Sequence, residues 1–210
     1  MTRTCIYICV FLISCCFHSL FGQSKTELPI IVIDPGHGGF DKGAIGANGV
    51  QEKDVVLKVA KEVLRLNREH YSNSFEIYST RYTDPLISLR ARSELIKSLK
   101  ADVFISIHCN QAIPKTARGV EVYINESSSE SEAFAKILLE EFENQLALNN
   151  RGFKHGNLQV LQEGGNAICV LVELGFLSNR YEAEHIRKRS SISGYALAIL
   201  ECLLKHFKND

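Results

Sequence analysis

Two histidines and two glutamates carry the strongest chemical signal in the sequence. His37 lies in the glycine-rich segment IVIDPGHGGFDKGAIG, and Glu52, His108 and Glu173 are spread widely along the rest of the chain. Two neutral imidazoles and one carboxylate are the ligand set of a catalytic zinc ion, which keeps a fourth position for water. A second carboxylate that does not bind the metal is then available as a general base for hydrolysis.

Each of these four residues also has an ordinary structural explanation. The two histidines could sit in a loop and at a strand end, and Glu52 could be an acid favoured by the dipole at a helix N-terminus. Glu173 could be half of an ion pair, but it fits this explanation least well. It interrupts the apolar run ICVLVELGF, where an ionisable group is costly unless it is paired or functional.

The apolar runs around these residues predict the elements that position them. IIVID at residues 30–34 precedes His37, DVFISIH at residues 102–108 ends at His108, and Glu173 follows VLV. Such continuous apolar runs are typical of buried parallel strands. Glu52 opens a helical pattern that follows the glycine-rich loop. Because functional groups of an open α/β sheet gather at the carboxyl edge of its strands, we expect all four at one rim.

Strands and helices alternate along the rest of the sequence. This alternation predicts a single α/β domain with a mostly parallel twisted sheet flanked by helices on both faces. The predicted strands are 30–34, 75–80, 102–108, 119–125, 158–161 and 168–176, and the predicted helices are 52–70, 86–99, 131–148 and 192–207.

The glycine-rich loop could instead cradle a phosphate group, with His37 incidental to it. The segment GHGGFDKGAIG contains neither a GxGxxG motif in register after a strand nor the GxxxxGK[ST] spacing of a P-loop. No lysine follows where a nucleotide phosphate would need one. The loop therefore predicts no nucleotide ligand.

Composition limits the other classes of function. The chain has 210 residues, 45% of them apolar, and its 24 basic side chains balance its 24 acidic ones. This is enough for one domain, predicted over residues 30–210, and gives no overall charge that would attract nucleic acid. Only three of the seven cysteines lie beyond the N-terminal leader, without CxxC spacing, which argues against a disulfide framework and a cysteine zinc site; they are Cys109, Cys169 and Cys202.

The first 22 residues read as an export signal. Arg3 is their only charged side chain, and an apolar run follows it. His18 and Ser19 interrupt that run, so a retained membrane span is the weaker interpretation. LISC at residues 12–15 resembles a bacterial lipoprotein cleavage box, which would place a lipid anchor on Cys15, whereas ordinary cleavage would fall near residues 22–23. We expect an exported protein of the periplasm or cell envelope, membrane-anchored if Cys15 is lipidated.

Four segments together resemble a known enzyme family. IDPGHGGFDKGAIG, GVQEKDVVLKVA, FISIHCN and VLVELGFLSN are similar to the four signature blocks of the zinc-dependent N-acetylmuramoyl-L-alanine amidases, the type-3 amidase family of cell-wall hydrolases, and occur in the family's order. By this resemblance His37, Glu52 and His108 bind one zinc ion per chain, and Glu173 is catalytic.

Smaller matches concern three further residues. Arg81 in STRYTD and Arg92 in LRAR resemble family positions, and we expect both to hold loops together. Asn110 is a candidate contact to the substrate or to the residues behind the metal site.

The resemblance implies hydrolysis of the amide that joins the lactyl group of N-acetylmuramic acid to L-alanine in peptidoglycan. Two alternatives remain open: a zinc peptidase acting elsewhere on the stem peptide, and a non-catalytic envelope protein that binds peptidoglycan. We expect a monomer. Some family members carry an inserted helix that occludes the zinc, and this sequence has no room for one after residues 119–125, so an open groove is expected.

Overall fold

The computed structural model describes residues 27–125, 128–162 and 164–208. The predicted export signal and Cys15 lie outside these residues and stay predictions. Six strands are described: β1 (Ile30–Pro35), β2 (Glu76–Ser79), β3 (Val103–Asn110), β4 (Val120–Ile124), β5 (Asn150–His155) and β6 (Ile168–Phe176). The described helices are α1 (Glu52–His70), α2 (Leu89–Leu99), α3 (Ser129–Leu146), α4 (Gln159–Gln162), α5 (Arg180–Ile186) and α6 (Arg189–Lys208).

The strands form one sheet in the order β2-β1-β3-β6-β4-β5. Neighbouring strands are parallel except for β4 and β6, which run antiparallel. The central strands β1, β3 and β6 are buried along almost their whole length, as expected for apolar strands covered on both faces. The predicted α/β domain with a mostly parallel sheet is confirmed.

Helices cover the two faces of this sheet unequally. On one face, which we call the thick face, α1, α3, α5 and α6 enclose thirty-six buried apolar residues. On the other, the thin face, α2 and α4 cover only eight. The helix predicted from Glu52 is confirmed as α1, whose buried stripe includes Val55, Val59 and Val63. Serines open α2 and α3, where Ser88 and Ser128 accept hydrogen bonds from backbone amides of the first turn.

The structure corrects the prediction in three places. Residues 158–161 were expected as a strand, but residues 159–162 form the short helix α4, which lies on the thin face with Val160 and Leu161 buried. Periodicity alone cannot separate a strand from a helix in so short an apolar run. The edge strand β5 and the seven-residue helix α5 carry mostly polar or half-exposed residues and were not predicted.

Two further observations concern the chain's environment. The three described cysteines, Cys109, Cys169 and Cys202, are buried and form no disulfide. No helix in the described part of the chain has the length and apolar character needed to cross a membrane.

Candidate metal centre and catalytic carboxylate

The structure brings His37, Glu52 and His108 together at the carboxyl edge of the sheet. His37 follows β1, Glu52 is the first residue of α1, and His108 lies near the end of β3. One donor atom from each of the three lies within 4.8 Å of the other two, the arrangement needed to hold a metal ion. The convergence expected from the sequence is therefore present.

The distances within this triad suit a small tetrahedral ion. Glu52 Oε1 lies 3.0 Å from His37 Nε2 and 2.9 Å from His108 Nδ1. Zinc bonds of about 2.0–2.1 Å place neighbouring ligand atoms of a tetrahedron about 3.3 Å apart. Two imidazoles and one carboxylate at this spacing fit zinc after movements of a few tenths of an ångström.

Glu52 is fixed in the triad by the backbone around it. Its side chain is 4% exposed. Oε2 accepts a hydrogen bond from the amide of Ala44, and Oε1 accepts one from the amide of Cys109. Burial opposes ionisation, but the hydrogen bonds with His108 and His37 outweigh it and lower the pKa of Glu52 to about 2. The carboxylate is thus charged and ready to bind a cation.

His37 is oriented by a residue that the sequence analysis did not assign. Asp41 Oδ2 lies 2.8 Å from His37 Nδ1, the ring nitrogen that points away from the triad. A carboxylate behind a metal-binding histidine sets its tautomer and raises its basicity. The hydrogen bond with Glu52 and the nearby Asp41 raise the pKa of His37 to about 9 in the protein without metal. The spacing of His37 and Asp41 within GHGGFD is the only signal that could have revealed this pair.

Arg81 clamps the loop that carries His37, as the sequence led us to expect. Its buried guanidinium donates to the carbonyl oxygens of Pro35, Gly36 and Lys53, so it joins the end of β1 to the first turn of α1. Gly36 passes so close to His108 that a Cβ atom there would lie 2.2 Å from the imidazole ring. The glycine therefore lets the loop pack directly against the ring of His108.

Arg92 holds the same loop from the thin face. It donates to the buried carboxylate of Asp34 and, at 3.3 Å, to the carbonyl oxygen of His37. Asp34 also accepts hydrogen bonds from Thr80 and Ser106. Arg92 thus ties α2 to the end of β1 and positions the backbone of His37.

The loop's own amide groups are committed to the protein. Those of Gly38 and Gly46 donate to the carbonyl oxygens of Asp41 and Val50, and that of Gly43 donates to Asp41 Oδ1. A phosphate cradle would direct such amides outward. The geometry therefore favours the metal-ligand interpretation of the loop over the phosphate interpretation.

Glu173 stands beside the triad on the neighbouring strand. It pairs with His108 in the parallel register of β3 and β6, so both side chains leave the same face of the sheet. Its Oε2 is buried and has no hydrogen-bond partner among the described residues. Burial raises its pKa to about 7, a value suited to a group that accepts and returns a proton near neutral pH.

Asn110 does not present a free side chain to a substrate. Its Nδ2 donates to Glu121 Oε1 at 2.8 Å, and its Oδ1 accepts from the amide of Gln111 at 2.7 Å. Neither contact reaches the triad or Glu173, so both roles expected for Asn110 stay predictions. The sequence analysis did not identify Glu121.

A cleft of about 450 Å³ opens beside the triad on the thin face. His37 and His108 lie on its wall, and most of the remaining lining is apolar, from Leu86, Leu89, Leu158 and Leu171. The candidate metal centre is therefore accessible from the side of α2 and α4.

Comparison with known proteins identifies the family of this chain. The profile of the type-3 N-acetylmuramoyl-L-alanine amidase family matches residues 31–205. The chain belongs to this family. The match spans all four residues of the candidate site.

One similar protein is a bacterial protein named as a cell-wall amidase. The "Probable cell wall amidase LytH" of Staphylococcus epidermidis is 35% identical over 194 residues, which are 89% of this chain and 62% of the relative. The chain thus spans less than two thirds of that relative's length.

Solved structures share the fold. The catalytic domain of the amidase CwlV from Bacillus (Paenibacillus) polymyxa has 30% identity and a TM-score of 0.80, covering 87% of this chain and 100% of that domain. An N-acetylmuramoyl-L-alanine amidase from Clostridium difficile 630 has 28% identity and a TM-score of 0.83, covering 88% of this chain and 100% of that protein.

Proposed function

We propose that this amidase hydrolyses the amide bond between N-acetylmuramic acid and L-alanine in peptidoglycan. In this proposal His37, Glu52 and His108 hold one zinc ion, and Glu173 is the general base. The observation that carries it is the position of Glu173 on the strand next to His108: its side chain is half-buried, and its buried Oε2 has no hydrogen-bond partner among the described residues. A buried carboxylate oxygen without a partner is costly, so a working role explains its place in an apolar strand.

Zinc bound at this site would polarise the scissile carbonyl and lower the pKa of a water molecule to about 7. Glu173 takes the proton of the attacking water and returns it to the nitrogen of the leaving L-alanine. Asp41 keeps His37 Nε2 directed at the site through its hydrogen bond to Nδ1. Arg81 and Arg92 hold the His37 loop, which fixes the ligand geometry before substrate arrives.

The substrate determines where the enzyme works. Peptidoglycan lies outside the cytoplasmic membrane, which agrees with the export signal expected over residues 1–22. We propose an envelope location, with a lipid anchor at Cys15 if LISC is cleaved as a lipoprotein signal, and a monomeric enzyme. Metabolic labelling with a fatty acid, compared between the parent and Cys15→Ala, tests the anchor, and sedimentation tests the monomer.

The product distribution tests the reaction. Purified peptidoglycan is digested with the zinc-loaded protein, and the soluble products are analysed by mass spectrometry. Intact stem peptides with a free L-alanine amine are expected. Shortened stems would identify the alternative zinc peptidase, and the absence of products would identify a non-catalytic binder.

Metal content gives an independent test of the ligand set. One zinc ion per chain is expected by elemental analysis of the parent. The Glu52→Gln variant is expected to lose most of this zinc while keeping its fold by circular dichroism, because a neutral amide is a weak zinc ligand. Full zinc retention in this variant would contradict the assignment.

The site is also expected to work without an activator. β4 ends at Ile124 and α3 begins at Ser129, so the connection is too short to hold a helix that could cover the metal. The isolated protein should therefore release stem peptides unaided. An inactive zinc-loaded protein that a partner switches on would contradict this proposal.

A further inference from the structure

The edge strand β5 contains an irregularity next to the candidate site. Val120 of β4 pairs with Asn150, but Val122 pairs with Phe153, so one residue of β4 faces two residues of β5. Gly152 lies within this bulge with a φ angle of 78°, a left-handed conformation that favours glycine. Bulges change the direction of the side chains that follow them and are frequent near active sites.

The bulge changes which face Lys154 reaches. In a regular strand, side chains three residues apart point to opposite faces of the sheet. Across this bulge both Arg151 and Lys154 contact the same atom, Glu121 Oε2, at 2.7 and 2.8 Å. Two cations are thus delivered to the thin face, where the candidate site lies.

Glu121 is the buried anchor of these cations. It is 1% exposed and accepts four hydrogen bonds; the donors are Asn110, Tyr123, Arg151 and Lys154. Burial opposes its ionisation, but the hydrogen bonds from Lys154 and Arg151 outweigh it and lower the pKa of Glu121. The carboxylate therefore holds both cations in a fixed place.

The two cations keep hydrogen-bonding capacity for a ligand. The side chains of Arg151 and Lys154 are 34% and 42% exposed. An ammonium has three N–H donors and a guanidinium has five. Within the described residues, Lys154 Nζ donates to Glu121 alone, and Arg151 donates only through Nε and Nη1. Glu121 alone therefore balances only one of these two positive charges.

This group lies directly beside the proposed base. Glu121 pairs with Glu173 in the antiparallel register of β4 and β6, so both side chains project from the thin face of the sheet. A substrate whose amide bond reaches Glu173 brings its neighbouring groups over Arg151 and Lys154. In peptidoglycan the glycan is largely uncharged near that bond, whereas the peptide stem carries carboxylates. Charge complementarity therefore favours the stem over the glycan as the part that binds here.

We propose that Lys154 and Arg151, held by Glu121, form a carboxylate-binding subsite for the peptide stem beside Glu173. This inference rests on the proposed function, because it takes muramoyl peptides as the substrate. Lys154 contributes an ammonium that donates to the stem carboxylate, and the Gly152 bulge is the structural device that places it there.

The test uses two soluble muramoyl peptides that differ in one group. One carries a free carboxylate on the residue after L-alanine, and the other carries a carboxamide there. The zinc-loaded parent is expected to cleave the carboxylate peptide with a KM about tenfold lower, the effect of a charge-assisted hydrogen bond. Lys154→Gln should raise the KM for the carboxylate peptide to that for the carboxamide and leave kcat nearly unchanged.

Lys136→Gln is the matched control. Lys136 lies on α3, and its Nζ sits 5.5 Å from the ring of Phe153, on the opposite face of β5. The Lys136→Gln variant removes the same charge from the same region and should preserve the lower KM for the carboxylate peptide. If Lys154→Gln raised the KM for both peptides equally, Lys154 would have a purely structural role and the subsite would be overturned. An unchanged KM for both peptides would also overturn it.

Binding separates this inference from the reaction itself. Calorimetry with the zinc-loaded Glu173→Gln variant measures the affinity for both peptides without turnover. If the parent cleaves neither peptide, the proposed function fails. The ratio of the two affinities, and its loss when Lys154→Gln is added, still decides the subsite. A ratio near one overturns it.

Discussion

The thick and thin faces of the sheet are built from the same strands but serve different purposes. In β3, Ile105 and Ile107 enter the large apolar core of the thick face, while Ser106 and His108 point to the thin face. The thick face buries thirty-six apolar residues and the thin face eight. One face provides most of the hydrophobic stabilisation, and the other has room for polar groups.

The polar groups of the thin face are not scattered. They form a row across four adjacent strands near the carboxyl edge of β1, β3 and β6. In the order β1-β3-β6-β4 the residues are Asp34, His108, Glu173 and Glu121. Asp34 and Glu121 are held by hydrogen bonds and His108 by its place in the triad, whereas Glu173 Oε2 has no partner among the described residues. The comparison shows that the thin face accepts charged groups where they are paired and that, among these four residues, an oxygen is left without a partner at the proposed base.

The largest expected effect comes from removing that base. Glu173→Gln should lower kcat for stem release by about a thousandfold, because the amide cannot accept the water's proton. Zinc content should stay at the parent's level. The free energy of unfolding should change by no more than about 1 kcal/mol, since the carboxylate oxygen made no hydrogen bond.

Glu143→Gln provides the control for this variant. Glu143 is exposed on α3, away from the thin face, and its replacement should leave kcat unchanged. If Glu173→Gln retained more than about a tenth of the parent's kcat, Glu173 would not be the general base.

The next largest effect concerns the paired charge of the thin face. Arg92→Met should lower the free energy of unfolding by about 3–5 kcal/mol, because it leaves the buried carboxylate of Asp34 without its cation. Arg90→Met is the matched control on the same helix: Arg90 pairs with Glu94 at the surface, and its loss should cost less than about 1 kcal/mol. Equal costs in urea denaturation would show that the buried pair is no more important than the surface pair.

A pair of leucines in one strand tests the difference in packing. Leu174 of β6 is 1% exposed in the thick-face core, and Leu171 lines the cleft on the thin face. Leu174→Ala should cost about 3 kcal/mol of unfolding free energy and Leu171→Ala about half of that, because water can enter the space left beside an open cleft. The two values come from denaturant unfolding of zinc-free protein. Equal costs would mean that the thin face is packed as tightly as the thick face.

These two faces also explain what the sequence could predict. The strands β1, β3 and β6 were predicted because strands buried on both sides leave continuous apolar runs. The four candidate residues could be singled out in the sequence because each lies at the end of such an apolar run or at the start of a helix. His37, Glu52 and His108 converge as expected, and Glu173 lies beside them.

The parts that were missed depend on contacts between distant segments. Asp41 behind His37 and Glu121 under Lys154 are ordinary acids in sequence, and only the folded register gives them partners. The strand β5 was missed because an edge strand with a bulge shows no alternation of apolar and polar residues. The strand expected at residues 158–161 was wrong because these residues begin a short helix that covers the thin face with only two buried apolar side chains, Val160 and Leu161. So short an apolar run fits a helix as well as a strand.

The smallest expected effect concerns charge on the thick face, where it lies at the helix surface. Glu62 of α1 accepts hydrogen bonds from Arg65 and from Ser193 of α6, and the bond with Arg65 is the main cause that lowers its pKa to about 2. The folded state therefore binds this proton more weakly than the unfolded chain, so the stabilisation is complete above the ordinary pKa of 4.5 and is lost as the pH falls towards 2. In zinc-free protein the free energy of unfolding falls as the pH drops from 4.5 towards 2, and Glu62→Gln should make this fall smaller by about 1 kcal/mol, a value reduced for solvent screening. An unchanged slope of stability with pH in Glu62→Gln would contradict the role of the Arg65 and Ser193 hydrogen bonds in lowering the pKa of Glu62.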